Sequence, residues 1–393
     1  MRAGDCNVLV ENVEQSGMEL NTGGAWQCAL SAIGAVALSI TFALFLGSQA
    51  PSEALAATPF VADSGGESFI YRFDSGTLTF TFTFTVPTEN ANPRDVVVVS
   101  DTGHLDVWFS EPGADRIGRL IYTSTTDYRF REYTLAVGSR PLNLVSGGGF
   151  IWFTAADGDY IGRLDPSTGQ VDRFGVTGGS SPADLDRASD GSIWFTEMAA
   201  DQVGHLIVTS TVEFTVTEYT SPITTAGQGQ PYGIAVVGAS VFFAHPRELA
   251  DCVTRFTPPS TWIHITGFTG DIPDEPYELA VNSLGQVWGT ERAGNGISLF
   301  GFGTMPIVNR YTLTPTHSQP TGLVADANDH LWFTQWQAGQ VGRLIPSSHP
   351  QKDYFPLPLK GLNPTGIATD GVGGVWVLAS RPRRVYLPII TQS

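Results

Sequence analysis

Ile193-Trp194-Phe195-Thr196-Glu197 is the clearest copy of a short phrase that recurs seven times along this chain. Each copy begins with an aliphatic residue and an aromatic residue. A Phe usually comes next, and a small or hydroxyl residue follows it. The leading aromatics recur every 42 to 48 residues, at Trp108, Trp152, Trp194, Phe242, Trp288, Trp332 and Trp376. A strand-rich unit repeated about every 40 to 50 residues is typical of a β-propeller blade. The sequence therefore predicts an all-β fold, a seven-bladed β-propeller.

Each repeat can be divided into four strands. The first begins at a Pro, as in Pro231-Tyr232-Gly233-Ile234, and the second carries the aromatic phrase. A third strand of the pattern [IV]-G-R-L follows, as at Ile161–Leu164, and a fourth such as Glu218–Thr220 ends the unit. Neighbouring residues on a strand point to opposite faces, so two large residues in succession indicate a sheet that is buried on both faces.

The last repeat stops after its second strand, near Ser380. Two strands that would complete it lie at the other end of the chain, where Ile70–Phe73 matches the third strand and Leu78–Pro87 alternates as a fourth. We therefore expect N-terminal strands to complete the C-terminal blade, which leaves no open apolar edge in the ring. The predicted segments are a polar stretch (1–27), a signal peptide or transmembrane anchor helix (28–47), a linker (48–66), the propeller (67–380) and a tail (381–393).

Residues 28–47 carry no charged side chain and are long enough to cross a bilayer as a helix. Small residues follow, so a cleaved secretory signal and an uncleaved anchor both stay open. With either alternative the propeller is predicted to be extracytoplasmic, secreted or anchored at the cell surface. Residues 28–47 would then be its only contact with the membrane.

The chain is strongly acidic, with 38 Asp and Glu against 21 Lys and Arg and a net charge of −17. Nucleic acids and anionic membrane surfaces require neutralisation by Lys and Arg, so they are excluded as partners. The three cysteines form no disulfide framework and no CxxC metal spacing, and Cys252 is expected to be a buried free thiol. We expect a monomer that binds a small molecule or a protein at the channel mouth.

Acidic side chains are predicted to gather at one face of the ring, where each first strand begins and each second strand ends. They are Asp95, Glu111, Asp184, Glu197, Glu275, Glu278 and Glu291. Crowded carboxylates stay hydrated, take up protons, cap strand-end amides, or bind Mg²⁺ or Ca²⁺. Asp95, Asp184 and Glu278 are the candidate metal ligands, and a wet acidic channel without metal is the alternative.

Other polar side chains of the fourth to sixth repeats are predicted on the same rim. His245, Glu275, Tyr277 and Glu291 are the candidates for acid–base catalysis. The candidates for ligand binding are Tyr232, Arg247, Gln335 and Trp336. A hydrogen-bonded His at a strand end is the plainer interpretation of His245.

The stretches SIWFTEMAADQVGHL, HLWFTQWQAGQVGRL and IWFTAADGDYIGRL resemble the streptogramin B lyase (virginiamycin B lyase) family, and the similarity covers roughly residues 67–380. The resemblance implies a Mg²⁺-dependent enzyme that opens a cyclic depsipeptide lactone by elimination. It also implies catalytic histidines after the blade-opening Pro of the last two blades, where this chain has Thr321 and Thr365. The nearest match to the family's E-P-H phrase is Glu275-Pro276-Tyr277, with Tyr in place of His.

Three functions follow from these observations. The first is a lyase-like propeller that binds a ligand or partner at the acidic rim without the family's histidines. The second is a divergent metal-dependent lyase or lactone hydrolase that uses His245, Glu275, Tyr277 and Glu291. The third is a structural cell-surface module, for which the tail and the hydrophobic segment would matter more than the channel.

Overall fold

The computed structural model describes residues 66–101, 103–210, 212–222, 229–246, 252–265, 275–301 and 307–382. These residues form 28 strands in seven four-stranded antiparallel sheets and contain no helix. The predicted seven-bladed all-β propeller with four-stranded blades is confirmed. No helix able to cross a membrane is found in the described part of the chain, and the predicted signal or anchor helix at 28–47 lies outside it.

The strands fall into four classes by their place in a blade, counted outward from the central channel. The first strands are β3 (Val96–Asp101), β7 (Pro141–Gly147), β11 (Pro182–Arg187), β15 (Ile234–Val237), β19 (Pro276–Val281), β23 (Pro320–Ala325) and β27 (Asn363–Thr369). The second strands are β4 (His104–Glu111), β8 (Phe150–Ala155), β12 (Ile193–Glu197), β16 (Ser240–His245), β20 (Val287–Glu291), β24 (Leu331–Gln335) and β28 (Gly374–Ser380). The third strands are β5 (Arg116–Tyr122), β9 (Tyr160–Leu164), β13 (Gln202–Val208), β17 (Cys252–Thr257), β21 (Gly296–Phe300), β25 (Gln340–Ile345) and β1 (Ser68–Asp74). The fourth strands are β6 (Tyr128–Thr134), β10 (Val171–Gly175), β14 (Phe214–Thr220), β18 (Thr261–Ile265), β22 (Ile307–Thr312), β26 (Gln351–Pro356) and β2 (Thr79–Thr85).

Blades are numbered 1 to 7 by their first strands in chain order. Blade 7 combines strands from both ends of the described chain, in the order β2-β1-β28-β27. β1 pairs with β28 in antiparallel register from Ser68 opposite Ser380 to Asp74 opposite Gly374. Six of the seven blades are therefore continuous in sequence, and this one is not.

The aromatic phrase holds neighbouring blades together because its two large side chains point to opposite faces of the sheet. Trp194 packs with Phe256 and Trp262 of blade 4, whereas Phe195 packs with Ile161 of blade 2. The ring of Phe195 also lies over Gly204, its cross-strand partner, where a Cβ atom would overlap the ring. This contact explains why the Phe of the second strand is paired with the Gly of the third.

The hydroxyl residue of the phrase connects each blade to the next one through the backbone. Thr196 Oγ1 accepts a hydrogen bond from Asp184 N (3.1 Å) and donates to Tyr232 O of the following blade (2.7 Å). The same pair of bonds is made by Ser110, Thr154, Thr290 and Thr334. These hydroxyl bridges hold the starts of adjacent first strands in register around the channel.

Two blades replace the hydroxyl and close their junctions differently. Blade 4 has Ala244, and there Gly233 N donates directly to Tyr277 O at 3.0 Å. This approach needs a glycine because a Cβ on residue 233 would overlap Tyr277 O. In blade 7, Thr365 Oγ1 donates to Pro93 O at 3.0 Å.

The variant Thr196→Val tests the hydroxyl bridge. It removes a buried hydroxyl, so a buried N–H and a buried carbonyl lose this partner. We expect the free energy of unfolding, measured by urea titration, to fall by about 2 kcal/mol. Thr215→Val, an exposed position on β14, is the control, and equal stability of the two variants would contradict the bridge.

Candidate functional site

The face of the ring at which the first strands begin carries a cavity of about 720 Å³, here called the mouth cavity. Its described lining includes three arginines, Arg94, Arg140 and Arg381, together with Tyr232 and Trp336. No Asp or Glu side chain is among the described lining residues. The expected acidic rim is therefore wrong for this cavity, which is lined by cations and neutral groups.

Arg94 extends from blade 1 across the channel to blades 4 and 5 at the floor of the mouth cavity. Its Nε donates to the Tyr232 hydroxyl at 3.1 Å, and its Nη2 bonds the hydroxyls of both Tyr232 and Tyr277. The two tyrosine rings stack with centroids 4.4 Å apart, and the guanidinium carbon lies 5.4 Å from each. Within the described chain Nη1 has no hydrogen-bond acceptor, so it can donate to a ligand.

A narrow neck of about 40 Å³ lies between this floor and the channel, and its lining includes Arg94, Tyr277, Asp95 and Glu278. The channel beyond it, about 510 Å³, is lined by the first strands of all seven blades. Asp95, Asp184 and Glu278 all line the channel. The predicted acidic channel therefore exists, but it lies beyond Arg94 and away from the mouth cavity.

The channel aspartates cap backbone amides. Asp184 accepts from Leu185 N and from Ile234 N of the next blade, both at 2.8 Å, and Asp95 accepts from Leu144 N of its next blade at 2.8 Å. Burial raises the pKa of Asp95 to about 6 and that of Asp184 to about 8. Burial and the charges of Asp184 and Asp95 also raise the pKa of Glu278 well above its usual value.

These carboxylates fit a divalent cation poorly. Both oxygens of Asp184 are already used by backbone N–H groups, and Asp95 accepts from Leu144 N. Among the residues that the structure describes, no group of three or more His, Cys, Asp or Glu side chains is placed to hold a metal ion. The interpretation of these carboxylates as strand-end caps accounts for the geometry of Asp95 and Asp184.

Known proteins with a similar sequence are virginiamycin B lyases. The model of the virginiamycin B lyase family matches residues 70–261. A virginiamycin B lyase of Nocardia farcinica (strain IFM 10152) is 28% identical over 282 residues, which cover 70% of this chain and 74% of that protein. The chain is therefore a propeller that is similar to virginiamycin B lyases.

Solved structures show the same fold. A streptogramin B lyase structure, 22% identical, superposes with a TM-score of 0.63 and covers 79% of this chain and 97% of its own. A catalytically inactive histidine variant of virginiamycin B lyase from Staphylococcus aureus, solved with quinupristin, gives a TM-score of 0.64 at 22% identity, with 79% and 99% covered. At this level of identity the likeness shows the fold alone.

Of the four catalytic candidates, only Glu275 and Tyr277 are brought together by a contact among the described residues. Glu275 accepts from Arg292 Nε at 2.9 Å, and the Arg292 guanidinium lies 4.7 Å from the Tyr277 ring, so Arg292 connects Glu275 with Tyr277. Glu291 is fully buried and lies 2.6 Å from Arg310 Nε within blade 5. The expectation that Glu291 lies around the mouth is therefore wrong, and so is the same expectation for the fully buried Glu111 and Glu197.

His245 is also fully buried, inside blade 4. Its Nδ1 lies 3.1 Å from Gly229 O and its Nε2 lies 3.0 Å from Thr254 Oγ1. Burial lowers the pKa of His245 to about 4, so the imidazole is neutral at physiological pH. The plainer interpretation, a hydrogen-bonded His at a strand end, describes this geometry.

Of the four ligand-binding candidates, Tyr232 and Trp336 line the mouth cavity. Gln335 is fully buried and donates to Thr314 O and to Ser318 Oγ. Arg247 lies outside the described residues. Sequence reasoning missed the role of Arg94, although it is a cation directly after a blade-opening Pro, where the other six repeats have uncharged residues.

The pH dependence of stability tests the channel carboxylates. Because their pKa values are raised in the folded state, the native protein holds protons that the unfolded chain releases, and the free energy of unfolding falls as the pH rises from about 4 to 8. We expect Glu278→Gln to make this fall smaller in urea titrations from about pH 5 to 9. The exposed Glu89→Gln is the control, and a Glu278→Gln variant with the wild-type slope would contradict the assignment.

Proposed function

We propose that this propeller binds a small molecule of the lactone or cyclic depsipeptide class in the mouth cavity, without opening its ring. The observation that carries the proposal is Arg94 at the floor of the cavity. Its hydrogen-bond partners are two neutral phenols, and its Nη1 has no acceptor among the described residues. Ester and amide carbonyl oxygens are suitable acceptors for such a donor.

The other two arginines of the cavity have acidic partners. Arg140 Nε lies 2.7 Å from Asp157, and Arg381 Nε lies 3.5 Å from Glu67. Arg94 differs in its hydrogen bonds, which are made to neutral hydroxyls, although the charges of Glu278 and Asp95 lie near it at the neck. Trp336 and Tyr232 add aromatic surface on which the apolar part of a cyclic peptide can pack.

The described lining of the mouth cavity offers no acid–base pair for an elimination. It contains no His, Asp or Glu side chain, and burial raises the pKa of Tyr232 to about 12, too high for a base at neutral pH. Opening a lactone by elimination needs one group to remove a proton and another to assist the leaving oxygen. Binding without turnover is the function that these groups support.

The alternative is a divergent metal-dependent lyase or lactone hydrolase. Its support comes from the names of the relatives and from the juxtaposition of Glu275, Arg292 and Tyr277 beside the neck. Bound Mg²⁺ would polarise the ester carbonyl, but the described carboxylates do not assemble a site for it. Export through residues 28–47 and a monomeric state remain predictions.

Arg94→Ala tests the proposal, with quinupristin as the probe ligand in isothermal titration calorimetry. Loss of a charge-assisted donor should weaken binding roughly tenfold to a hundredfold. Arg129→Ala removes the same charge from an exposed position on β6 and should bind as the wild type does.

Two results would overturn the proposed function. One is the absence of quinupristin binding to the wild-type protein. The other is equal affinity of the Arg94→Ala and Arg129→Ala variants. Melting temperatures of both variants should be measured in parallel, because Arg94 also links blade 1 to blades 4 and 5.

A further inference from the structure

Blade 5 differs from most other blades at the outer rim of the ring. In four blades an arginine of the third strand lies 4.8 to 5.8 Å from the ring of the anchor Trp, in the pairs Arg119–Trp108, Arg163–Trp152, Arg343–Trp332 and Arg72–Trp376. In blade 3, His205 stacks on Trp194 at 4.0 Å. The cross-strand partner of Trp288 in blade 5 is Leu299, which has no charge.

The acidic partner of the arginine is replaced as well. Arg163 bonds Asp172 at 2.7 Å, and Arg343 bonds Asp353 at 2.6 Å, each across to the fourth strand. The residue in that register in blade 5 is Asn309, which is opposite Leu299. An ion pair in blades 2 and 6 is therefore an uncharged pair in blade 5.

A third replacement leaves the indole N–H of blade 5 without an acceptor among the residues that the structure describes. Trp332 Nε1 donates to Asp326 at 2.9 Å, but the equivalent turn of blade 5 has Asn282. Asn282 Oδ1 accepts from Leu284 N and Gln286 N, and its Nδ2 donates to Gln286 Oε1 at 2.8 Å. Trp288 is only 2% exposed, and its Nε1 is buried with no hydrogen-bond partner in the structure. Such an unpaired buried donor is unfavourable and favours an incoming acceptor.

Two of these replacements, Leu299 and Asn309, line together with Trp288 a groove of about 760 Å³ between blades 5 and 6, here called the rim groove. Trp288, Leu299 and Tyr311 form its apolar side, and Gln286 and Asn309 supply neutral amides. Of its two cations, Arg310 lies 2.6 Å from Glu291, and Lys352 Nζ donates to the backbone oxygen of Thr312. No carboxylate is found in the described lining.

We propose that the rim groove binds a neutral sugar residue. A pyranose presents an apolar C–H face, which fits the Tyr311 and Leu299 side, and hydroxyls that bond amide side chains. One hydroxyl oxygen can accept the Trp288 indole N–H once the surrounding side chains move to expose this buried atom. The missing ion pair favours a neutral ligand, because the described lining has no carboxylate for a cation and Arg310 is already paired with Glu291. The proposal is independent of ligand binding at the mouth.

Indole resonances of the ¹⁵N-labelled protein provide the direct test. The chain has nine tryptophans, and the Trp288 signal is assigned by its loss in Trp288→Phe, which is tolerable because blade 4 has Phe242 at this position. The probes are maltose, cellobiose and the disaccharide of N-acetylglucosamine. At least one of them should shift the Trp288 indole signal in a saturable way, with a millimolar dissociation constant.

The double variant Leu299→Arg/Asn309→Asp rebuilds the ion pair of blades 2 and 6 and should weaken the sugar at least tenfold. Asn309→Ala changes one exposed amide and should weaken it while leaving the melting temperature unchanged. Arg94→Ala at the mouth should leave sugar binding unchanged. If no disaccharide moves the Trp288 signal, or if both rim variants bind like the wild type, the proposal is wrong.

Discussion

The hydroxyl bridge between successive blades is the interaction on which the rest of the structure depends. In five of the seven blades it fixes the first residues of the inner strand against the next blade, as Thr196 does between Asp184 N and Tyr232 O. Those first residues are the ones that surround the channel mouth. The side chain that follows each blade-opening Pro is therefore held on a rigid ring, and its chemistry decides what the mouth can bind.

The fold could be predicted from the sequence because every repeat carries the residues that form the contacts of a blade. Trp and Phe in succession indicate a sheet covered on both faces, and the structure buries Trp194 and Phe195 against different blades. The Phe–Gly pair across two strands is likewise a contact between nearby residues in sequence. Such information survives in a single sequence because each blade repeats it.

The site was predictable only in part. Tyr232 is predictable because it follows a blade-opening Pro, and Trp336 because it follows the aromatic phrase of its repeat. Both line the mouth cavity. The position of Arg94 depends on a contact between blades 1 and 4, across 138 residues, which no local pattern contains. For Glu291 the local pattern is present but misleading. Its place after the aromatic phrase predicts a position at the rim, whereas an ion pair with Arg310 holds it inside the blade.

Departures from the repeat are the most informative positions in this propeller. Where a repeat keeps its pattern, the residue keeps an equivalent partner within its own blade, as Arg163 does with Asp172 and Arg343 with Asp353. Where it departs, at Arg94 in the mouth and at Leu299, Asn309 and Asn282 in blade 5, a donor is left without an acceptor in the described part of the chain. Both proposed binding sites lie at such departures.

The measurement that tests the central claim most directly is incubation of quinupristin with the purified protein, with and without Mg²⁺, followed by liquid chromatography and mass spectrometry. The mouth has Arg94 as a donor but no described acid–base pair, so the cyclic depsipeptide should be recovered unchanged under both conditions. A linear product of the same mass would reveal elimination, and a product that has gained one water would reveal hydrolysis. Either product, formed in proportion to the protein and lost in Glu275→Gln, would contradict binding without turnover.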